Sequence, residues 1–339
     1  MNQRQHHGLE KIELQLAAAA AMAAAYFIFW PLLRQGDPLA ALSFLAGDGW
    51  GRLWAFAAVF WILAAGCAVL TLSARPQTAL IAALFGAGGL SLRSPQMRTL
   101  FWKNPDSLGS LYGTLAVELL LLAAIFVVGM LVVAAVRAVA RLFCRSLLWQ
   151  GAVTEAADVS DAEVAFADDN RSVFWGDVLF LVRLCRLGFI AVAPKDGRQQ
   201  RKAGKKALAR TGMCLLLSLV ISATLLLSLI RSPDRGQVLF ALAGSFLVGG
   251  LIAHQVFPAP LGGAAWLLPV AAGLVAYALG AASAVSTAPQ GWMNVQLVAR
   301  ALPLDWLTAG GGGAMLGYWI SARMHEARFM EAQQEPQGA

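Results

Sequence analysis

Eight long apolar runs constrain the fold of this chain more than any other feature. Because lipid leaves a backbone to satisfy its own hydrogen bonds, a hydrocarbon core of about 30 Å is crossed by about 20 apolar residues in a helix. Charged residues make up only 13% of the chain, and its mean hydropathy is +0.64. The pattern predicts an all-α fold, a polytopic transmembrane helix bundle of about eight spans. The spans are expected at 14–33, 53–73, 77–92, 108–136, 212–230, 236–257, 261–285 and 304–321.

The third run is the weakest of the eight. It is shorter than the others, and its second half carries three glycines, Gly86, Gly88 and Gly89. A run of this length fits either a tilted crossing or a re-entrant segment that returns to the side it came from. The sequence leaves both alternatives open.

The distribution of positive charge predicts the orientation. Half of the 26 lysines and arginines lie in the polar stretch 137–210, between the fourth and fifth runs. Short loops rich in Lys and Arg remain in the cytoplasm. Eight crossings with a cytoplasmic N-terminus place 18 basic residues inside and 8 outside, whereas seven crossings move Arg4 and Lys11 outside. We therefore expect four spans on each side of a cytoplasmic segment, with both termini in the cytoplasm. The alanine-rich, lysine-poor spans favour a bacterial inner membrane.

This orientation divides the chain into four parts. A four-span half, 1–136, precedes the cytoplasmic segment 137–210, and a second four-span half, 211–323, precedes a polar tail, 324–339. The cytoplasmic segment has an acidic half, an amphipathic helix predicted over 172–193, and a basic half. The basic cluster contains Lys195, Arg198, Arg201, Lys202, Lys205, Lys206 and Arg210.

The basic cluster has two interpretations. It is either an orientation signal alone, or it also binds anionic lipid headgroups or an acidic protein partner, since each Lys or Arg near an anionic surface contributes about 1 kcal/mol. We do not expect nucleic-acid binding, because no aromatic residues for base stacking lie within the cluster.

A short motif occurs twice. Arg93-Ser94-Pro95 follows the third run, and Arg231-Ser232-Pro233 follows the fifth. Many transporters contain repeated halves, so the motif could mark a repeated hairpin. A proline after a helix end is also a common stop signal, and helix capping alone explains each copy.

Glu118 is the sharpest candidate for chemistry. A carboxylate inside an apolar span costs several kcal/mol unless it is protonated, paired or turned toward a polar interior. One interpretation is proton or cation coupling. The other is a structural hydrogen bond or a position near the interface.

Two further polar residues lie at predicted span ends. His254 could titrate near neutral pH, but we expect it to be isolated from the other histidines, which lie in the two termini. We interpret it as a hydrogen-bonded residue at the membrane interface rather than as part of a metal site. Asp305 begins the eighth span, where a carboxylate stabilises a helix N-terminus.

The eighth span contains four consecutive glycines, Gly310, Gly311, Gly312 and Gly313, followed by Gly317. Small residues four apart let two helices approach closely in lipid. A four-glycine run also weakens a helix and could form an unwound substrate site or hinge. Tight packing is the favoured interpretation, and under either one a bulky residue at Gly312 is expected to impair the protein.

Tryptophans lie near the predicted span ends, at positions that include Trp102, Trp266, Trp306 and Trp319. Such positions are typical of rings that anchor a helix at the headgroup level. We therefore interpret them as interfacial anchors.

No motif for catalysis, metal or cofactor binding is present. The four cysteines form no CxxC pair, and the segment 197–206 lacks the glycine and the Ser or Thr of a phosphate loop. We therefore expect no cofactor. Three classes of function remain: a structural or assembly subunit of a membrane complex, a secondary transporter or channel that uses Glu118 and the eighth span, and a lipid-directed enzyme. The last is the least supported, because no nucleophile, acid or metal site can be named.

Overall fold

A computed structural model describes residues 3–34, 36–37, 40–104, 107–143, 197–258, 264–285 and 295–334. All regular secondary structure in these ranges is helical. The short elements are α4 (Arg98–Lys103), a π-helical turn (Phe44–Asp48) and 3₁₀ turns at Ala264–Trp266 and Leu297–Arg300. The long helices are α1 (Gln3–Ala23, extended by Ala24–Phe29 and Trp30–Leu33), α2 (Trp50–Leu70), α3 (Pro76–Arg93), α5 (Leu108–Phe143), α6 (Gly197–Leu229), α7 (Arg235–Val256), α8 (Leu267–Val285) and α9 (Pro303–Asp305, Trp306–Gly310 and Gly311–Gln334).

Five of the long helices are long and apolar enough to cross a membrane. The apolar parts of α1, α2, α5, α6 and α7 are Gly8–Leu33, Trp50–Leu70, Leu108–Ala140, Ala209–Leu229 and Arg235–Val256, and α8 contributes a shorter apolar stretch, Leu267–Ser283. These helices agree with the prediction of a membrane-embedded, all-helical protein.

The two remaining long helices, α3 and α9, form the centre of the bundle. Thirteen of the 18 residues of α3 are buried, and so is the whole stretch 301–315 at the start of α9. The two helices are antiparallel, since Ser91 near the end of α3 lies beside Thr308, and Arg75 before α3 pairs with Glu326 near the end of α9. Helices α1, α2 and α5 pack around α3, while α7 and α8 pack against α9, and α6 packs outside α7.

Burial accounts for the absence, in α3 and α9, of the long apolar stretch that the five candidate spans contain. A helix that other helices shield from lipid can carry serine, threonine and glycine, because its polar groups find partners inside the protein. The outer helices instead expose large apolar side chains such as Leu120, Leu227 and Phe240. The third apolar run is a continuous helix of 18 residues, about 27 Å long. Its two ends lie at opposite ends of the bundle, since Arg75 contacts the end of α9 and Ser91 contacts its start.

Successive long helices alternate in direction through the described parts of the chain. The parallel pair α1 and α3 shows this, because Glu10 contacts Thr78 at one end and Tyr26 contacts Arg93 at the other. The pair α7 and α9 is also parallel, since Arg235 contacts Asp305, and His254 contacts Ser321.

Glycines of α9 bring its backbone against that of α7. A Cβ atom at Gly313 or Gly317 would overlap the carbonyl oxygen of Ala243 or Leu247, and a Cβ atom at Gly250 of α7 would lie 3.0 Å from the Ala314 carbonyl oxygen. The glycine run is helical, beginning with a π-helical stretch at Trp306–Gly310, rather than unwound. At Gly312 a Cβ atom would lie 3.3 Å from the Phe85 ring, so this position is less crowded than Gly313 and Gly317.

The tryptophan interpretation is wrong for three residues. Trp266, Trp306 and Trp319 are buried in the core, whereas Trp102 is 56% exposed, as an interfacial anchor would be. Position along a helix places a ring near a membrane surface, but which side of the helix it occupies depends on packing.

The helices extend into the segment 137–210 at both ends. Helix α5 continues to Phe143, and α6 begins at Gly197, so Arg198, Arg201, Lys202, Lys205, Lys206 and Arg210 lie on a helix that runs directly into the fifth apolar run. The acidic half, the predicted amphipathic helix and Lys195 lie outside the described residues.

We predict that Gly317→Ala destabilises the protein by about 1–3 kcal/mol, since overpacking forces the α7 and α9 backbones apart. The melting temperature of each variant, measured in mild detergent, reports the effect. Gly244→Ala on α7 is the matched control, because a Cβ atom there meets nothing within 4 Å. Equal melting temperatures for the two variants would contradict this packing.

Candidate functional site: ion-paired clusters at both ends of the central helices

A buried ion pair joins α7 to the start of α9. Asp305 is fully buried, and its two carboxylate oxygens accept hydrogen bonds from Arg235 Nη1 at 2.6 Å and Nη2 at 2.5 Å. Arg235 also donates from Nη2 to the Ser91 carbonyl oxygen of α3 at 2.8 Å. We call Asp305, Arg235 and Ser91 the Asp305 clamp. It fastens three helices at one end of the bundle.

The start of α9 also depends on Asp305. Pro303 opens the helix, where its missing N–H leaves no donor unsatisfied. Asp305 accepts a hydrogen bond from the Leu302 amide at 2.7 Å, which caps the first turn. The sequence suggested the cap, but it did not reveal Arg235 as the ionic partner.

A second ionic cluster fastens α1, α3 and α9 at the opposite end. Arg323 of α9 pairs with both Glu10 of α1 and Glu326, and Glu326 pairs with Arg75 at 2.7 Å. Glu10 also accepts a hydrogen bond from Thr78 Oγ1 at 3.0 Å. We call these residues the Glu326 clamp. Two carboxylates and two guanidiniums alternate in it, so its charges balance.

The arginines of the Glu326 clamp control the ionisation of Glu326. Burial alone would raise the pKa of this carboxyl, but the guanidiniums of Arg75 and Arg323 outweigh burial and hold the pKa below its usual range. The carboxylate therefore remains charged, and the clamp is intact at neutral pH.

Glu118 faces the interior of the bundle. It is fully buried, and its Oε2 atom accepts hydrogen bonds from Ser43 Oγ at 2.6 Å and from the Leu45 amide at 3.0 Å. Ser43 in turn accepts a hydrogen bond from the Ala46 amide. Glu118 thus holds the start of the turn Phe44–Asp48, between α1 and α2, against α5. Its Oε1 atom makes no hydrogen bond within the described part of the chain.

His254 is not isolated, and the expectation from sequence is wrong on this point. Its Nδ1 atom lies 2.8 Å from Ser321 Oγ, and its ring lies 4.4 Å from that of Tyr318 and 5.4 Å from that of His325. Helix α9 continues beyond Ser321, so His325, about one turn later, also lies against His254 of α7. Among the residues that the structure describes, no three His, Cys, Asp or Glu side chains are grouped to hold a metal ion.

Five charged residues of the two clamps were not found from the sequence: Arg235, Glu10, Arg323, Glu326 and Arg75. Each lies close to a predicted span end, where a charged residue is commonly solvated or contributes to orientation. The opposite charges Glu10 and Arg323 are more than 300 positions apart, so no local spacing relates them. Only the packing of α1 against α3 and α9 brings the charges together.

Comparison with protein families, curated proteins and solved structures finds no match to this chain. The described residues form an all-helical bundle in which five helices are long and apolar enough to cross a membrane, and its central pair is fastened at both ends.

We predict that replacing one member of the buried pair, by Asp305→Leu or Arg235→Met, destabilises the protein by about 3–5 kcal/mol, since the remaining charge is buried without its partner. The double variant should be more stable than either single variant, because no uncompensated charge remains. Unfolding free energies in detergent measure this cycle. Additive losses would show that the two side chains do not act as a pair.

Proposed function

We propose that this protein is a structural or assembly subunit of a membrane complex in the bacterial inner membrane. The observation that carries the proposal is the fastening of α3 and α9 at both ends, by the Asp305 clamp and the Glu326 clamp. A secondary transporter moves one group of helices against another around a central site. A central pair fixed at both ends, with glycine-mediated backbone contacts between α7 and α9, suits a rigid platform better.

The proposal includes eight crossings, four on each side of the cytoplasmic segment, with both termini in the cytoplasm. The alternating directions of the long helices and the placement of α3 and α9 at the centre support this count. The excess of Lys and Arg on one side supports the orientation.

Cysteine labelling tests this topology in a variant without the four natural cysteines. A membrane-impermeant maleimide should label Asp234→Cys in intact cells and Ala339→Cys only after lysis. The reverse pattern would contradict the orientation.

The cytoplasmic segment is the proposed docking region for partners. Its basic cluster, of which all members but Lys195 lie on α6 beside the fifth apolar run, would bind anionic headgroups. Its acidic half would carry the protein contacts. Charge separation of this kind permits both contacts at once.

We predict that the protein, extracted in mild detergent, co-purifies with at least one other membrane protein in stoichiometric amount. Mass spectrometry identifies this partner. Deleting 155–169 should reduce the yield of that partner, because the acidic half is lost. Deletion of 335–339, which leaves the acidic half in place, is the control and should leave the yield of the partner unchanged. A clean monomer from the undeleted chain would overturn the scaffold proposal.

A second candidate, a secondary transporter or channel, is favoured by Glu118. A buried carboxylate with one oxygen that no described residue satisfies is a candidate for proton or cation coupling. Glu118→Gln would then abolish pH-dependent uptake in a folded protein. Under the scaffold proposal the amide keeps its hydrogen bonds to Ser43 and Leu45, and partner yield stays at the level of the natural chain.

A further inference from the structure

The two Arg-Ser-Pro turns come together at one end of the bundle. Gln96, after the first motif, donates a hydrogen bond to Asp234, after the second, at 3.3 Å. Arg235 reaches across to the Ser91 carbonyl oxygen at the end of α3. Two similar turns from opposite halves of the chain thus face one another.

A cleft of about 210 Å³ lies between these turns. Its walls include Gln96 and Phe101 from the first half and Pro233 from the second, and three arginines, Arg98, Arg235 and Arg300, line it. Arg98 and Arg235 each follow an Arg-Ser-Pro motif closely. A volume below the roughly 300–1,000 Å³ of sites for drug-sized ligands limits the occupant to a small group.

All three guanidiniums are held in place by other contacts. Arg235 is fixed by Asp305, Arg98 lies over the Trp102 ring at 4.4 Å from its centroid, and Arg300 donates from Nε to the Val295 carbonyl oxygen at 3.2 Å. Fixed donors lose little conformational freedom when a ligand binds. The cleft is therefore organised before any ligand arrives.

The residues that line the cleft favour an anion, because three of them are arginines and, among the residues that the structure describes there, none is acidic. Asp305 pairs with Arg235 and Asp234 accepts a hydrogen bond from Ser232 Oγ at 2.7 Å, but neither carboxylate lines the cleft. Burial lowers the pKa of Arg300, since a guanidinium removed from water loses solvation that an anion restores.

We propose that this cleft is a binding site for a phosphate group. A phosphate carries up to two negative charges and presents oxygens in several directions, which suits guanidiniums that approach from three separate segments. A carboxylate has two oxygens in one plane and suits a single arginine fork better. The phosphate belongs to a free phosphorylated compound or to a lipid headgroup, since the exposed Trp102 beside Arg98 is typical of headgroup level.

The test measures phosphate binding by the full-length protein in an uncharged detergent. One arm titrates inorganic phosphate and follows heat release; the other adds phosphatidic acid and counts retained lipid by native mass spectrometry. Arg98→Gln and Arg300→Gln should each weaken binding by about tenfold or more, because each removes charged hydrogen bonds. Arg231→Gln is the matched control, since it removes the same charge from a neighbouring turn without lining the cleft.

Binding of inorganic phosphate identifies a free phosphate compound, and binding of phosphatidic acid alone identifies a lipid headgroup. Either result supports the proposal when Arg98→Gln and Arg300→Gln lose the binding. Arg98→Lys retains the positive charge but not the planar pair of guanidinium donors, so it should bind phosphate more weakly than the natural chain. This variant also provides the test if Arg98→Gln fails to fold. Absence of binding in both arms, or equal binding by the natural chain and both cleft variants, would overturn the proposal.

Discussion

A helix in lipid satisfies its own backbone hydrogen bonds, but a helix with few large apolar side chains gains less from contact with lipid than from cover by other helices. Helices α3 and α9 lack the long apolar stretch of α1, α2, α5, α6 and α7, and other helices cover them. The more apolar α1, α2, α5 and α7 lie around them and turn large aliphatic side chains outward. Helices α3 and α9 therefore occupy the centre, where Ser91 and Thr308 meet.

Small residues and ion pairs act together in this centre. The glycines of α9 allow backbone contact with α7, and that close approach brings Arg235 to Asp305. The ion pairs then fix the register of the helices at each end, because a shift by one turn would separate buried charges.

Much of the architecture could be predicted from the sequence, because hydrophobic run length reports directly on helix length in lipid. Even the weak third run is a full helix, Glu118 was recognisable as a costly buried charge, and Asp305 was recognisable as a helix cap. The partners of these two carboxylates could not be predicted. Arg235, Ser43 and Glu10 become partners only through contacts between distant parts of the chain. Trp306 was misplaced for the same reason, because sequence position does not show which side of a helix faces the core.

The central claim is that α3 and α9 lie side by side in the middle of the bundle, with Ser91 Oγ 3.5 Å from Thr308 Oγ1. Oxidative cross-linking of Ser91→Cys with Thr308→Cys, in a chain without its natural cysteines and embedded in membranes, tests this directly. The account predicts rapid formation of an intramolecular disulfide, detected by a shift in electrophoretic mobility, and none for the outward-facing pair Leu120→Cys with Leu227→Cys. A folded protein whose central pair remains reduced under the same oxidant would contradict it.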